Sequence, residues 1–138
     1  PWQHVLEPLS GYLSLAARLM GPDGQRYAEG WNFGPGDASV TTVKDLANCL
    51  VNAWGQGRLE CLGNSDQPHE AGLLKLDASK AATQLGWHGV WDVTRTVTET
   101  VAWYKTHHQR SSDLVQFTKS QISAYAADAQ AAGLDWTH

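Results

Sequence analysis

His69 and Glu70 stand side by side in the segment Gln67-Pro68-His69-Glu70-Ala71. A carboxylate offers lone pairs to both hydroxyls of a vicinal diol, so Glu70 suits a ligand carrying one. The imidazole of His69 can donate to a phosphate oxygen or to a base. The plainer alternatives are an exposed loop glutamate and a loop histidine holding a structural hydrogen bond. A second grouping opens the chain, Pro1-Trp2-Gln3-His4-Val5. It offers an indole for stacking, an amide and an imidazole; the alternatives are a packing tryptophan and a structural histidine. Asn32 can orient a loop through its side-chain amide, or be an ordinary asparagine at a strand end.

The other reactive side chains point to no chemistry. His107 and His108 are neighbours, and neighbours on a helix do not face each other. A tetrahedral metal site needs converging ligands, so no metal is expected. Cys49 and Cys61, the two cysteines, are too few for a disulfide framework and read as free thiols in a reducing cytosol. Lys80 and Asp77 read as helix and cap residues. No Gly-x-Gly-x-x-Gly or Gly-x-x-Gly-x-x-Gly fingerprint occurs, since Gly30, Gly34 and Gly36 have the wrong spacing. No Tyr-x-x-x-Lys pair occurs: four residues after Tyr12, Tyr27, Tyr104 and Tyr125 stand Ala16, Trp31, His108 and Ala129. No catalytic and no cofactor-binding residue is therefore assigned within the chain.

The 138 residues are 42% hydrophobic and 17% charged, a globular rather than a disordered composition. The net charge of −4 and the scattered lysines and arginines argue against a nucleic-acid partner. No apolar run reaches the roughly 20 residues a membrane helix needs, and no signal peptide is visible. Seven tryptophans are many for this length; packing between elements accounts for most of them, and only Trp2 sits in a motif that favours stacking on a ligand.

The elements that must position these groups follow from periodicity and punctuation. Leu6, Leu9, Leu13, Ala16, Ala17 and Met20 recur at helical spacing behind Glu7-Pro8, and Gly21-Pro22-Asp23-Gly24 stops that helix. Residues 29–33 read as a short strand ending at the sharp turn Gly34-Pro35-Gly36. Thr42 with Asp45 opens a helix carrying Val43, Leu46, Ala47, Leu50 and Trp54, closed by Gly55 and Gly57. Residues 58–62 alternate as a second short strand. Asp77 caps a short helix with Ala78, Ala81, Ala82 and Leu85, closed by Gly86. Asp92 caps the next. Its run 93–101 is β-branched, but only a helix gathers Val93, Val97, Val101 and Tyr104 on one face while freeing Arg95 and Glu99. A last helix is predicted from Thr118, with Gln121 as capping-box partner, through Ile122, Tyr125, Ala126 and Ala129 to Gly133. Residues 111–113 are the best hinge. The chain thus divides into residues 1–110 and a helical tail, 111–138. The fold class is α/β, helix-rich, with short strands and an incomplete sheet.

Four segments, in order and spacing, resemble the nucleotide-sugar branch of the extended short-chain dehydrogenase/reductase family. They are Pro1-Trp2-Gln3-His4-Val5, Glu29-Gly30-Trp31-Asn32-Phe33-Gly34-Pro35, Gln67-Pro68-His69-Glu70-Ala71, and Leu74 to Ala81 with Leu85-Gly86-Trp87. The first and third together resemble the 4,6-dehydratase members that take CDP-glucose. The resemblance implies that Glu70 receives the ribose hydroxyls and that His69, Trp2, Gln3, His4 and Asn32 line the substrate cavity. An arginine often precedes the ribose-binding acid by three residues; here that position is Gln67. The implied parent activity is that of a lyase. Bound NAD oxidises the sugar at C4, water leaves across C5 and C6, and hydride returns to C6, giving a 4-keto-6-deoxy sugar nucleotide for surface polysaccharide.

The chain begins at Pro1, in the middle of the first motif and without methionine. The expectation is therefore a C-terminal portion of a cytoplasmic, homo-oligomeric enzyme, inactive alone, whose NAD-binding half lies elsewhere. Elements that pack on that half would leave Leu9, Leu13, Phe33 and Val40 uncovered. Another dehydratase or epimerase of the same family, or a non-catalytic binding remnant, are the alternatives.

Overall fold

The computed structural model describes residues 2–61, 75–109, 113–134 and 136. Its α-helices are α1 (Leu6–Leu19), α2 (Val43–Trp54), α3 (Ser79–Leu85), α4 (Val93–His108) and α5 (Leu114–Ala131). Two short 3₁₀ turns, Gly24–Tyr27 and Asp37–Ser39, lie between α1 and α2. α2 packs on α4, α4 on α5, and α1 on α3.

The helix starts obey local chemistry. The Thr42 hydroxyl accepts the Asp45 N–H at 3.1 Å, and the Asp92 carboxylate accepts the Arg95 N–H at 2.7 Å. These are side-chain caps for otherwise unpartnered N–H groups. Asp77 accepts the Ser79 N–H at 2.9 Å, and hydrogen bonding from the Ser79 side chain and then its backbone holds the Asp77 carboxyl below the ordinary carboxylate range. Gly55 and Gly86 close α2 and α3 in left-handed conformations, at φ 86° and 65°. The β-branched run is helical throughout α4; it buries Thr96, Val97 and Val101, while Tyr104 is exposed. Tertiary packing overrides the β propensity there.

Three expectations change. α5 starts at Leu114 rather than Thr118, because the Asp113 carbonyl already accepts the Phe117 N–H at 2.8 Å. The Thr118 hydroxyl bonds back to the Leu114 carbonyl and receives the Trp103 indole N–H, both at 2.9 Å. Gln121 makes no capping box; its amide reaches across to α4 and donates to the Glu99 carbonyl and carboxylate. The incomplete sheet is absent among the described residues: 29–36 and 58–61 are irregular, and Leu62 lies outside them. A strand needs a neighbour for its N–H and C=O groups. Here residues 29–33 are held by side chains instead, with Pro35 lacking a donor.

Phe33, Ala81, Leu85 and Trp87 form one core cluster, with Leu15, Tyr27, Trp31 and Ala78 against it. Phe33 is therefore covered, unlike Leu9, Leu13 and Val40, which are exposed as expected. Gly11 makes this packing possible, since a Cβ there would stand 2.3 Å from the Phe33 ring. The remaining buried apolar residues, Trp91, Val97, Val101, Tyr125, Ala129 and Leu134, lie on or beside α4 and α5, which pack together. Trp91 meets Tyr125 edge to face at 5.0 Å.

A buried polar network links the two groups. Glu7, 1% exposed, accepts the N–H of Val90 at 3.0 Å, the N–H of Trp91 at 2.7 Å and the Tyr125 hydroxyl at 2.7 Å. The Ser10 oxygen accepts the Trp87 indole N–H at 2.9 Å. Its single proton serves either the Glu7 carbonyl at 2.7 Å or the Tyr125 oxygen at 3.0 Å. One carboxylate thus ties α1 to α5 and to the segment leading into α4.

Candidate functional site

A cleft of about 560 Å³ opens between the turn at 34–37, the segment 75–79 and the segment 87–89. Two side-chain amides tie together the segments beside it. Gln3 donates to the Phe33 carbonyl at 3.1 Å, tying the chain's first residues to the turn. Asn32 donates to the Asp77 carbonyl at 3.3 Å, tying the turn to the start of α3. Gly34 permits the approach, because a Cβ there would lie 3.0 Å from Leu76. A smaller hollow of about 150 Å³, bordered by Gln3, Glu7, Ser39 and Asp92, shares Pro35, Gly36 and Gly89 with the cleft.

The charges around this region are paired. Lys75 and Asp37, both cleft-lining, form an ion pair. Lys80 bonds Glu29 at 2.5 Å and the Gly30 carbonyl at 3.0 Å, and lies over the Trp31 ring at 4.4 Å. The Lys80 ammonium holds the Glu29 carboxyl below its ordinary range. The His88 ring Nδ1 is 3.0 Å from the Gly89 carbonyl. Among the described residues, no group of three or more His, Cys, Asp or Glu is placed to hold a metal ion. No helix among them is long and apolar enough to cross a membrane. The cleft presents backbone groups, one ion pair and an imidazole around an open volume. Asp77, Ser79 and the apolar side chains of Leu76, Ala78, Ala82 and Trp87 complete its lining among the described residues.

The sequence-assigned residues fall into three places. His69 and Glu70, with Gln67, lie outside the described residues. Asn32 is exposed and occupied by its bond to Asp77. Gln3 and His4 both border a second cleft of about 500 Å³ between α1, α4 and α5. Trp2, beside them in sequence, is 39% exposed. His4 itself is buried. Its ring meets Trp91 edge-on at 4.9 Å, and its Nδ1 accepts the Leu6 N–H at 3.3 Å. Burial pushes its pKa below the ordinary 6.5, against an opposing pull from the Glu99 carboxylate.

Sequence reasoning gave no site role to Lys75, Asp37 and His88 in the cleft: Lys75 stands within the 74–81 motif segment, but an isolated polar residue has no periodicity to show what it faces. It also missed Glu7 as a buried acceptor. An acid in a first helical turn reads as a dipole partner facing water, and nothing local shows that Tyr125, far along the chain, closes over it.

No family model matches the chain. A search of curated proteins finds a CDP-glucose 4,6-dehydratase of Salmonella typhimurium (strain LT2) that is 46% identical over 125 residues. The match covers 91% of this chain and 34% of the Salmonella protein. The chain thus spans about a third of the length of the relative it matches.

Proposed function

We propose that this chain is the C-terminal, substrate-walling portion of a CDP-glucose 4,6-dehydratase, a cytoplasmic and homo-oligomeric enzyme when whole. The observation that supports this most is the 46% identity sustained over 125 residues. It is joined by the bonds of Gln3 and Asn32, which tie the chain's first residues to the 31–36 turn and that turn to the approach to α3.

In this reading the cleft holds part of the nucleotide sugar. Glu70 takes the ribose diol and His69 the diphosphate or base, as acceptor and donor chemistry suits them. Gln3 and Asn32 act as positioning residues through their backbone bonds, and Trp2 offers an exposed ring. Dehydration at C5 and C6 with oxidation and reduction at C4 and C6 calls for NAD, which supplies the hydride chemistry when bound. The described residues do not fit that cofactor. They include no strand and no glycine-rich turn entering a helix, the arrangement that seats a dinucleotide. NAD is therefore assigned to the part of the parent protein that this chain does not span, and the chain alone is expected to be inactive.

The test is a titration of the chain with CDP-glucose, UDP-glucose and dTDP-glucose, followed by amide chemical shifts. CDP-glucose is expected to move the signals of Gly34, Gly36 and Gly89 more than the other two, with no product formed when NAD is added. Equal, diffuse shifts for all three ligands, or turnover by the chain alone, would contradict the reading.

A further inference from the structure

We propose that the His4 imidazole is a proton-operated latch: neutral, it caps α1 and holds residues 2–5 against the 31–36 turn; protonated, it releases them. The helix begins without a conventional cap, since Val5 at the N-cap position contributes no side-chain bond. The first N–H groups of a helix have no partner within it. His4 takes two of them, the Leu6 N–H on its ring Nδ1 at 3.3 Å and the Glu7 N–H on its carbonyl at 3.0 Å.

A ring nitrogen that accepts carries no proton. The capping ring is therefore neutral, with its hydrogen on Nε2. Protonation sets N–H against N–H. It also puts a cation at the positive end of a helix dipole and buries that charge in a site only 7% exposed. Three physical effects thus oppose the charged ring.

The charged groups on the surrounding elements do not reverse this. Glu7 on α1 is engaged by Val90, Trp91 and Tyr125. Asp128 on α5 accepts the Trp91 indole N–H at 2.8 Å. Glu99 on α4 pulls toward the charged ring, but it already binds Gln121 at 2.9 Å and Arg95 at 3.0 Å. Burial outweighs it, so the folded ring titrates below the ordinary 6.5. The unfolded chain then binds the proton more readily than the folded one. The latch is closed above pH 6.5 and opens as the pH falls below it. What opens is specific. Gln3, next to His4, makes the bond to the Phe33 carbonyl that ties residues 2–5 to the turn leading into the cleft. The latch rests on this chain's own geometry and stands whether or not the cleft takes a nucleotide sugar.

Long-range proton–nitrogen correlation spectra of the 138-residue chain, recorded from about pH 8 to about pH 5, test it. The expected result is the Nε2–H tautomer of His4 at the alkaline end and a midpoint below 6.5. The Leu6 backbone amide and the Gln3 side-chain amide should move with that same midpoint. His4→Asn keeps a carbonyl acceptor without a titrating group and should abolish the response. Glu99→Gln removes the one pull toward the charged form and should lower the His4 midpoint further, which keeps the test alive if His4→Asn does not fold. An Nδ1–H tautomer, a midpoint at or above the ordinary value, Leu6 and Gln3 signals indifferent to His4, or a wild-type response in His4→Asn would each overturn the latch.

Discussion

Replacing Glu7 by alanine removes the acceptor of the Val90 and Trp91 N–H groups, the first half-buried and the second buried. A buried donor left without a partner costs about 1–3 kcal/mol, so Glu7→Ala is expected to lower unfolding stability by about 3 kcal/mol in urea denaturation. Tyr125→Phe removes one hydroxyl and should cost about 1 kcal/mol. A loss below about 0.5 kcal/mol for Glu7→Ala would mean the carboxylate is dispensable. Tyr125 also has a pH signature. Burial raises its pKa well above the ordinary 10.0, with the Glu7 carboxylate adding to the effect. A group whose folded pKa is raised contributes stability below its unfolded pKa and loses it as the pH climbs beyond. Stability should therefore fall above pH 10.0, and Tyr125→Phe should flatten that alkaline limb in a series of denaturation curves; an unchanged limb would show that Tyr125 does not ionise on unfolding.

At the scale of elements, the close approach of α1 to Phe33 is the most sensitive contact. A Cβ on Gly11 would overlap the Phe33 ring at 2.3 Å, and overpacking of this kind costs about 1–3 kcal/mol. Gly11→Ala is expected to lower the melting temperature accordingly, whereas Gly30→Ala, with open space around it, should barely change it. Equal melting temperatures would place the α1 packing elsewhere. The same elements show what the sequence could tell. Caps at Thr42 and Asp92 and the stops at Gly55 and Gly86 were legible because each is a local hydrogen bond or a local dihedral preference. The helical state of 93–101 was legible from which face gathered the valines. The absence of pairing at 29–33 was not, because pairing depends on a partner elsewhere in the chain. Gln121 misled for a related reason: its capping-box spacing is real, yet its amide finds a better partner on α4.

At the scale of the whole molecule, α1 turns apolar side chains outward. Leu13 and Met20 are 72% and 83% exposed, with Val5, Leu9 and Tyr12 beside them. A contiguous apolar face of this kind promotes association. Sedimentation should show concentration-dependent self-association, relieved by Leu13→Glu with little change in stability; a monomer at all concentrations would contradict this. The candidate site was only partly legible at this scale. Gln3 and Asn32 were marked by their motifs, but their observed partners are backbone carbonyls far along the chain, which no local pattern encodes. The cleft's ion pair joins Lys75, inside the 74–81 motif segment, to Asp37, which lies beyond the 29–35 one, and no local pattern encodes that pairing. The central claim is that this chain can serve as the substrate wall of a CDP-glucose dehydratase. Its most direct measurement is a chimera in which this chain replaces the matching 125 residues of the Salmonella enzyme, assayed with CDP-glucose. Dehydration of CDP-glucose in preference to UDP-glucose is the expected result; a folded, NAD-binding chimera that leaves CDP-glucose untouched would contradict the substrate-wall proposal.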